Sequence, residues 1–428
     1  MRIPALVLPV VLLAASCAPA TGDASGAGGS AEAPDGAAGA SDGAAWKDSG
    51  PPDASADAEA GLSRLDQVLA ALRADPQQGM RLYSVDDGWP LQVAGGYLFV
   101  STDPALTRVA GDHDGWAGTA MHQDAGFSWV VLAVPKGDHY KFTDGTTYKA
   151  DPWSRSYSYD TNGEMSLVLP APPHLDRYFQ IGDAAMQART VRVYVPAPPV
   201  THELYAEDGQ NLFDPAAPWG GWKLEDSLPP GMLVIGIDNT PARMDEYTQV
   251  PDVISGQTVG GQADAYADFL ESTLRPLIRK HYGEPGPVGL MGSSLGGLVS
   301  LEIAYRYPKQ FRFAASLSGT VGWGSIDPAT HNQTIIERYR DAGHQAPVLY
   351  VDSGGSGSCV DSDGDGIFDD DPNASDNYCE NQQMHATLLS VGYTDGQDVF
   401  YYWQSGAQHN EAAWAARVYR PLQVFAGL

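Results

Sequence analysis

Gly292-Ser293-Ser294-Leu295-Gly296, with Gly297 directly after it, is the stretch that decides how this chain reads. The apolar run Val288–Met291 before it has the length of a buried strand, and Leu298–Tyr305 after it carries a helical pattern. A serine framed by glycines between a strand and a helix predicts a sharp turn that lifts the Ser294 hydroxyl above a sheet. The same turn aims the Leu295 N–H, at the helix start, toward an oxyanion developing on a substrate. Ser294 is therefore the candidate nucleophile. The structural alternative is a glycine-rich packing turn.

Working outward, Thr190–Val195, Leu204–Ala206, Met232–Ile237, Phe313–Leu317 and Val348–Val351 read as strands. Ala263–His281 reads as a long amphipathic helix with a kink at Pro276. Alternation of strand and helix over residues 173–428 predicts a doubly wound α/β domain. A free hydroxyl is a poor nucleophile near neutral pH, so Ser294 needs a base. Of the ten histidines, His409 stands in a loop after the last predicted strand, Val399–Trp403, and is the candidate. A surface histidine is the alternative. The loop Tyr205–Phe213 follows an early strand and contains Gly209, so the Gly209 or Gln210 N–H is the candidate second oxyanion donor.

Residues 61–172 have a different texture. Leu62, Leu65, Leu69 and Leu72 fall at helical spacing. Short aromatic and β-branched runs follow, such as Gly96–Val100 and Ser128–Leu132, separated by Gly and Asp turns; a small β-sandwich is expected. Ahead of them, residues 1–17 read as a targeting segment: Arg2, an apolar run from Ala5 to Ala15, then Cys17. Small residues before that cysteine resemble the lipobox of bacterial lipoproteins, which implies a lipid on Cys17, a membrane anchor and an extracytoplasmic location; the alternative is an ordinary secretory signal cleaved near Ala18. Residues 18–60, rich in Ala, Gly, Asp and Ser, read as a disordered acidic linker. A formal net charge of −28 argues against nucleic-acid partners.

Three sets of residues carry resemblances. "DGQNLF" from Asp208, the run Ile237-Asp238-Asn239 with Arg243 and Glu246-Tyr247, "MGSSLGG" and "HNEAAW" resemble the putative-esterase family of α/β hydrolases. That family includes enterochelin, feruloyl and acetyl-xylan esterases, esterase D and mycolyltransferases. The likeness covers roughly residues 175–428 and implies carboxylic-ester hydrolysis through an acyl-enzyme, with no cofactor for the chemistry. Val109–Trp116, Met121, Trp129, Gly137–Phe142 and Asp151-Pro152 resemble early-set immunoglobulin-like domains, which include glycogen-binding modules. Trp116, Trp129 and Trp153 then either pack in a core or offer a sugar platform. Family members place the catalytic acid just after a strand end equivalent to Asp352-Ser353-Gly354. Here Gly357 stands a few residues on, and Ser358 to Ser375 is inserted, so Asp376 is the first candidate acid, Asp352 the second and Asp361 the third.

Within the insert, Asp361, Asp363, Asp365, the Ile367 carbonyl and Asp369 resemble the calcium repeats of thrombospondin type 3 and imply a structural Ca²⁺. The closing Glu of an EF-hand is replaced by Pro372, for which Asp370 or Asp371 could substitute. Cys359 and Cys379 bracket the loop, so a disulfide between them is expected to staple it. The expected substrate is a carbohydrate-linked acyl ester, acetyl or feruloyl. The alternatives are a siderophore ester of enterochelin type, or a non-catalytic surface protein that binds polysaccharide or calcium.

Overall fold

A computed structural model of the chain describes residues 62–217, 219–369 and 376–428. The segments expected to be a targeting sequence and an acidic linker, with Cys17, Asp370 and Asp371, lie outside the described residues. From Leu62 to Leu428 the chain forms one compact unit.

Six parallel strands lie side by side in the order Val399–Trp403, Val348–Ser353, Phe313–Leu317, Val288–Ser293, His202–Glu207 and Met232–Ile237. Their side chains alternate between two cores, because successive residues of a strand face opposite sides. Tyr205, Leu233, Ile235, Leu290 and Leu349 join one core with Leu298, Val299, Tyr266 and Met384. Leu204, Val234, Met291, Leu317 and Tyr350 join the other with Trp414, Leu422 and Phe425. A sheet covered on both faces explains the apolar runs Met232–Ile237, Val288–Met291 and Val348–Val351 within these strands. The α/β-hydrolase-type core places the turn at Ser294 at the carboxyl end of a central strand. The following helix, Leu295–Arg306, starts directly after the serine. The helix expected from Ala263 is interrupted as Pro276 suggested: a π turn, Leu270–Leu274, separates Ala263–Phe269 from Arg275–Tyr282. Proline has no N–H to close a bond to the preceding turn, and the widened turn absorbs the mismatch.

A strand at the 172/173 boundary is among those not anticipated. His174–Ile181 pairs with Arg189–Val195 on one side and with Ser156–Asp160 on the other. The ladder therefore runs across the 172/173 boundary into the amino-terminal strands. Asp176 and Arg177 break the apolar pattern of this strand, yet both are buried. Ser156 donates to Asp176 at 2.6 Å, and Arg177 donates to the carbonyls of Ser154 and Asp151. In the amino-terminal part, Tyr97, Phe99, Val109, Met121, Tyr140 and Phe142 form a core between two sheets. Helices Arg64–Ala74 and Pro76–Ser84 cover the outer face of the smaller sheet, with Trp129 and Trp153 packed against that contact.

Candidate active site

The backbone at Ser294 adopts φ 56°, ψ −125°, a left-handed conformation that only a tight turn imposes on a residue with a Cβ. The surrounding glycines make room for it. A Cβ on Gly292 would stand 2.4 Å from the Gly296 backbone, and one on Gly297 would stand 2.6 Å from Ser316 Oγ. The Ser294 N–H donates to Leu317 O at 3.0 Å, fixing the turn to the neighbouring strand.

His409 Nε2 lies 2.9 Å from Ser294 Oγ, and His409 Nδ1 lies 2.7 Å from Asp376 Oδ1. A carboxylate can only accept, so Nδ1 carries the hydrogen and Nε2 offers its lone pair to the serine. Asp376 is fully buried, and its other oxygen accepts from Ser318 Oγ at 2.6 Å, Gly354 N at 2.6 Å and Arg417 at 3.3 Å. The Trp414 ring stands edge-on to the imidazole at 4.9 Å. Asp352 sits elsewhere: it accepts two bonds from Arg417, at 3.0 and 3.1 Å, and one from the Ser318 N–H at 3.1 Å. Burial raises its pKa, partly offset by Arg417. Asp361 belongs to the acidic loop. Of the three candidate acids, the structure brings Asp376 alone to His409.

The turn Gly209–Asn211 follows strand His202–Glu207, with Asp208 at φ 57°. A Cβ on Gly209 would fall 2.5 Å from the Gly236 backbone, and one on Gly296 would meet Glu207 Cβ at 3.0 Å. The turn carrying Gly209 and Gln210 thus abuts the helix start at Leu295. Its supports are the residues whose sequence pattern stood out without a role. Arg243 donates to both Asp208 oxygens at 2.7 and 2.8 Å, Asn239 Nδ2 donates to Asp208 at 2.6 Å, and the Asn239 N–H donates to Gln210 Oε1 at 3.1 Å. Glu246 forms a buried pair with Arg189. Burial, with Asp208 close by, pushes the Glu207 carboxyl up to about 8.

Sequence reading missed Ser318, Arg417, Trp414 and Glu411 as parts of this network. A signal existed: Glu411, Trp414 and Arg417 recur every third residue, so they share a face of helix Glu411–Arg417.

In the inserted loop, carboxylate oxygens of Asp361, Asp363 and Asp365 lie within 4.8 Å of one another. That convergence of hard oxygen donors suits a calcium ion. Asp365 also contacts His331 Nδ1 at 3.0 Å. Asp369 is not in the group; its carboxylate accepts the Ser362 N–H at 2.9 Å. Ile367 buries its side chain against the core of the domain. Cys359 and Cys379 are joined by a disulfide, tying the loop to helix Tyr378–Ser390.

Comparison with known proteins adds a lineage. The family described as "Putative esterase" matches residues 183–423. Protein YbbA of Bacillus subtilis, itself uncharacterized, is 28% identical over 138 residues, covering 31% of this chain and 55% of its own length. The siderophore triacetylfusarinine C esterase of Aspergillus fumigatus is 25% identical over 115 residues, covering 26% of this chain and 39% of its own length. The chain therefore spans about half or less of the curated relatives it matches. Among solved structures, the enterobactin esterase of Shigella flexneri aligns with a TM-score of 0.43 at 15% identity, over 77% of this chain and 93% of that one. An IroE-like serine hydrolase of Shewanella oneidensis aligns with a TM-score of 0.45 at 19% identity, over 58% and 79%.

Proposed function

Since this chain belongs to the esterase family, we propose that it is a serine carboxylic-ester hydrolase working through an acyl-enzyme on carbohydrate-borne esters. The observation that carries the reaction is His409 standing between Ser294 and Asp376 in hydrogen-bond range of both. Ser294 Oγ attacks the ester carbonyl while His409 Nε2 takes its proton. Asp376 stabilises the imidazolium, and the N–H groups of Leu295 and of Gly209 or Gln210 receive the oxyanion. His409 then protonates the departing alcohol. Water, deprotonated by the same nitrogen, releases the acid and restores the serine. An intact relay of this kind speaks against the non-catalytic alternative.

Carbohydrate is favoured by a cleft of about 530 Å³ in the amino-terminal part, lined by Trp116, Tyr148, His139, Lys141 and Asp160 among others. Trp116 is half-buried and Tyr148 exposed, with ring centres 6.3 Å apart. Aromatic faces beside polar groups suit the C–H face and hydroxyls of a sugar. A second reading, a siderophore ester, is favoured by the likeness to the triacetylfusarinine C esterase.

A substrate panel separates the readings. We expect hydrolysis of p-nitrophenyl acetate and of acetylated or feruloylated glycans. Trp116→Ala should lower kcat/KM several-fold, roughly the loss of one good contact, on the glycan esters only. Turnover of a siderophore ester with glycan esters untouched would establish the second reading. A protein inert to every ester and to a fluorophosphonate is not a serine esterase.

We also propose that Asp361, Asp363 and Asp365 hold a structural Ca²⁺. Binding to the folded state alone stabilises by about 2.7 kcal/mol at a hundredfold excess over the dissociation constant. Chelation should lower the melting temperature, Ca²⁺ should restore it, and Asp363→Ala should abolish the response. Melting that ignores both chelator and Ca²⁺ would leave the loop a solvated acidic excursion.

A further inference from the structure

The two halves of the site come from distant segments. Asn211 follows Gln210 on the oxyanion turn, and Glu411 lies two residues beyond His409. Asn211 Nδ2 donates to Glu411 Oε1 at 2.9 Å across 200 residues of sequence, and Trp222 Nε1 donates to Glu411 Oε2. The Trp222 N–H in turn donates to Asn211 O at 2.9 Å, so both donors belong to one loop. The Trp222 ring lies 6.4 Å from the Trp414 ring, which itself stands against His409. One carboxylate thereby gathers the oxyanion loop and the histidine loop.

Resting on the esterase reading above, we propose that Glu411 is a positioning residue that sets the oxyanion turn against the Ser294–His409 pair. Each oxygen of the Glu411 carboxyl receives a donor from the same loop. Without them, Asn211 and Trp222 lose their acceptor and the turn is free to drift relative to Ser294. A misplacement of about 1 Å can cost on the order of 10²-fold in rate. The loss falls on the tetrahedral state, where the donors act, and not on the ground-state complex. It therefore appears in kcat and not in KM.

The test uses full-length protein, p-nitrophenyl acetate, and a boronic acid that forms a tetrahedral adduct with the serine. Glu411→Ala should lower kcat by about 10- to 100-fold with KM within about twofold. The boronic acid should weaken in parallel. Glu411→Gln can accept one N–H and should fall between Ala and wild type. Trp222→Phe removes one donor and leaves the Glu411 side chain in place. It should lose part of the rate alone and little more when combined with Glu411→Ala, as expected for partners in one bond. A folded Glu411→Ala with unchanged kcat and boronic-acid affinity overturns the proposal, and so does a lowered melting temperature with unchanged kcat. Should Glu411→Ala fail to fold, fully active Glu411→Gln and Trp222→Phe proteins overturn it equally. A wild type that does not react with a fluorophosphonate overturns the esterase reading and the clamp together. A reactive wild type with indifferent variants overturns the clamp alone.

Discussion

Ser294→Ala is expected to lower kcat/KM for any ester substrate by about 10⁴-fold or more while leaving the fold as it is. Both halves of that expectation follow from the turn. The serine is held by its backbone: its N–H bonds to Leu317 O, and its carbonyl accepts from Gly297 and Leu298. Alanine keeps those bonds and keeps the Cβ, so the left-handed φ of 56° strains it no more than it strains serine. The hydroxyl bonds to His409, a contact whose loss should move stability by no more than about 0.5 kcal/mol at such a partly exposed position. What disappears is the attacking oxygen. The proposed oxyanion donors and His409 remain, so a small residual rate through direct attack of water is expected. A fluorophosphonate, which loses fluoride as its phosphorus bonds to Oγ, should label wild type and leave the Ser294→Ala protein unmarked. Labelling of the variant, or more than about a hundredth of wild-type turnover, would remove Ser294 from the role. Melting curves of both proteins decide whether a loss of activity reflects chemistry or folding.

The elbow was legible because its glycines are a steric requirement: no larger residue fits where Gly292 faces the Gly296 backbone. His409 was legible from position, since a base must come from a loop at the carboxyl ends of the strands. Met232–Ile237, Val288–Met291 and Val348–Val351 declared themselves as apolar runs because both faces of the sheet are covered. The rest was hidden for a common reason. Asp176 and Arg177 in a strand, and Arg417 at the end of helix Glu411–Arg417, look like surface residues in a linear reading. Each is buried because its partners arrive from far along the chain: Ser156 for Asp176, the Asp151 and Ser154 carbonyls for Arg177, and Asp352 and Asp376 for Arg417. Spacing reports which face a residue occupies, but it does not report which distant charge waits there. Glu411 shows the limit well. Burial, with Asp208 close by, pushes its carboxyl up to about 7 against the pull of its donors, an environment assembled from loops nearly the whole domain apart in sequence.

Asp376→Asn is expected to reduce kcat by about 10⁴-fold, for a reason specific to this network. One oxygen of Asp376 faces three donors, from Ser318 Oγ, the Gly354 N–H and Arg417. An asparagine there must turn its carbonyl oxygen toward those three, because an NH₂ group would meet them donor against donor. Its NH₂ then faces His409 Nδ1, which is obliged to accept. The imidazole hydrogen moves to Nε2, the nitrogen 2.9 Å from Ser294 Oγ, and a protonated Nε2 cannot take the serine proton. Geometry survives and the tautomer is wrong. Binding of substrate should change little, so the loss belongs to kcat. Asp352→Asn makes the control. Asp352 lies in a buried pair with Arg417 and does not touch His409. Weakening it leaves a buried guanidinium with less compensation, up to about 3–5 kcal/mol of stability if the partner were lost altogether. Its folded fraction should turn over close to the wild-type rate. Active-site titration with a fluorophosphonate counts that fraction, and thermal melting reports the stability. An active Asp376→Asn beside an inactive but folded Asp352→Asn would move the acid to Asp352. It would also mean that the hydrogen bond between Asp376 and His409 is not the one that sets the tautomer.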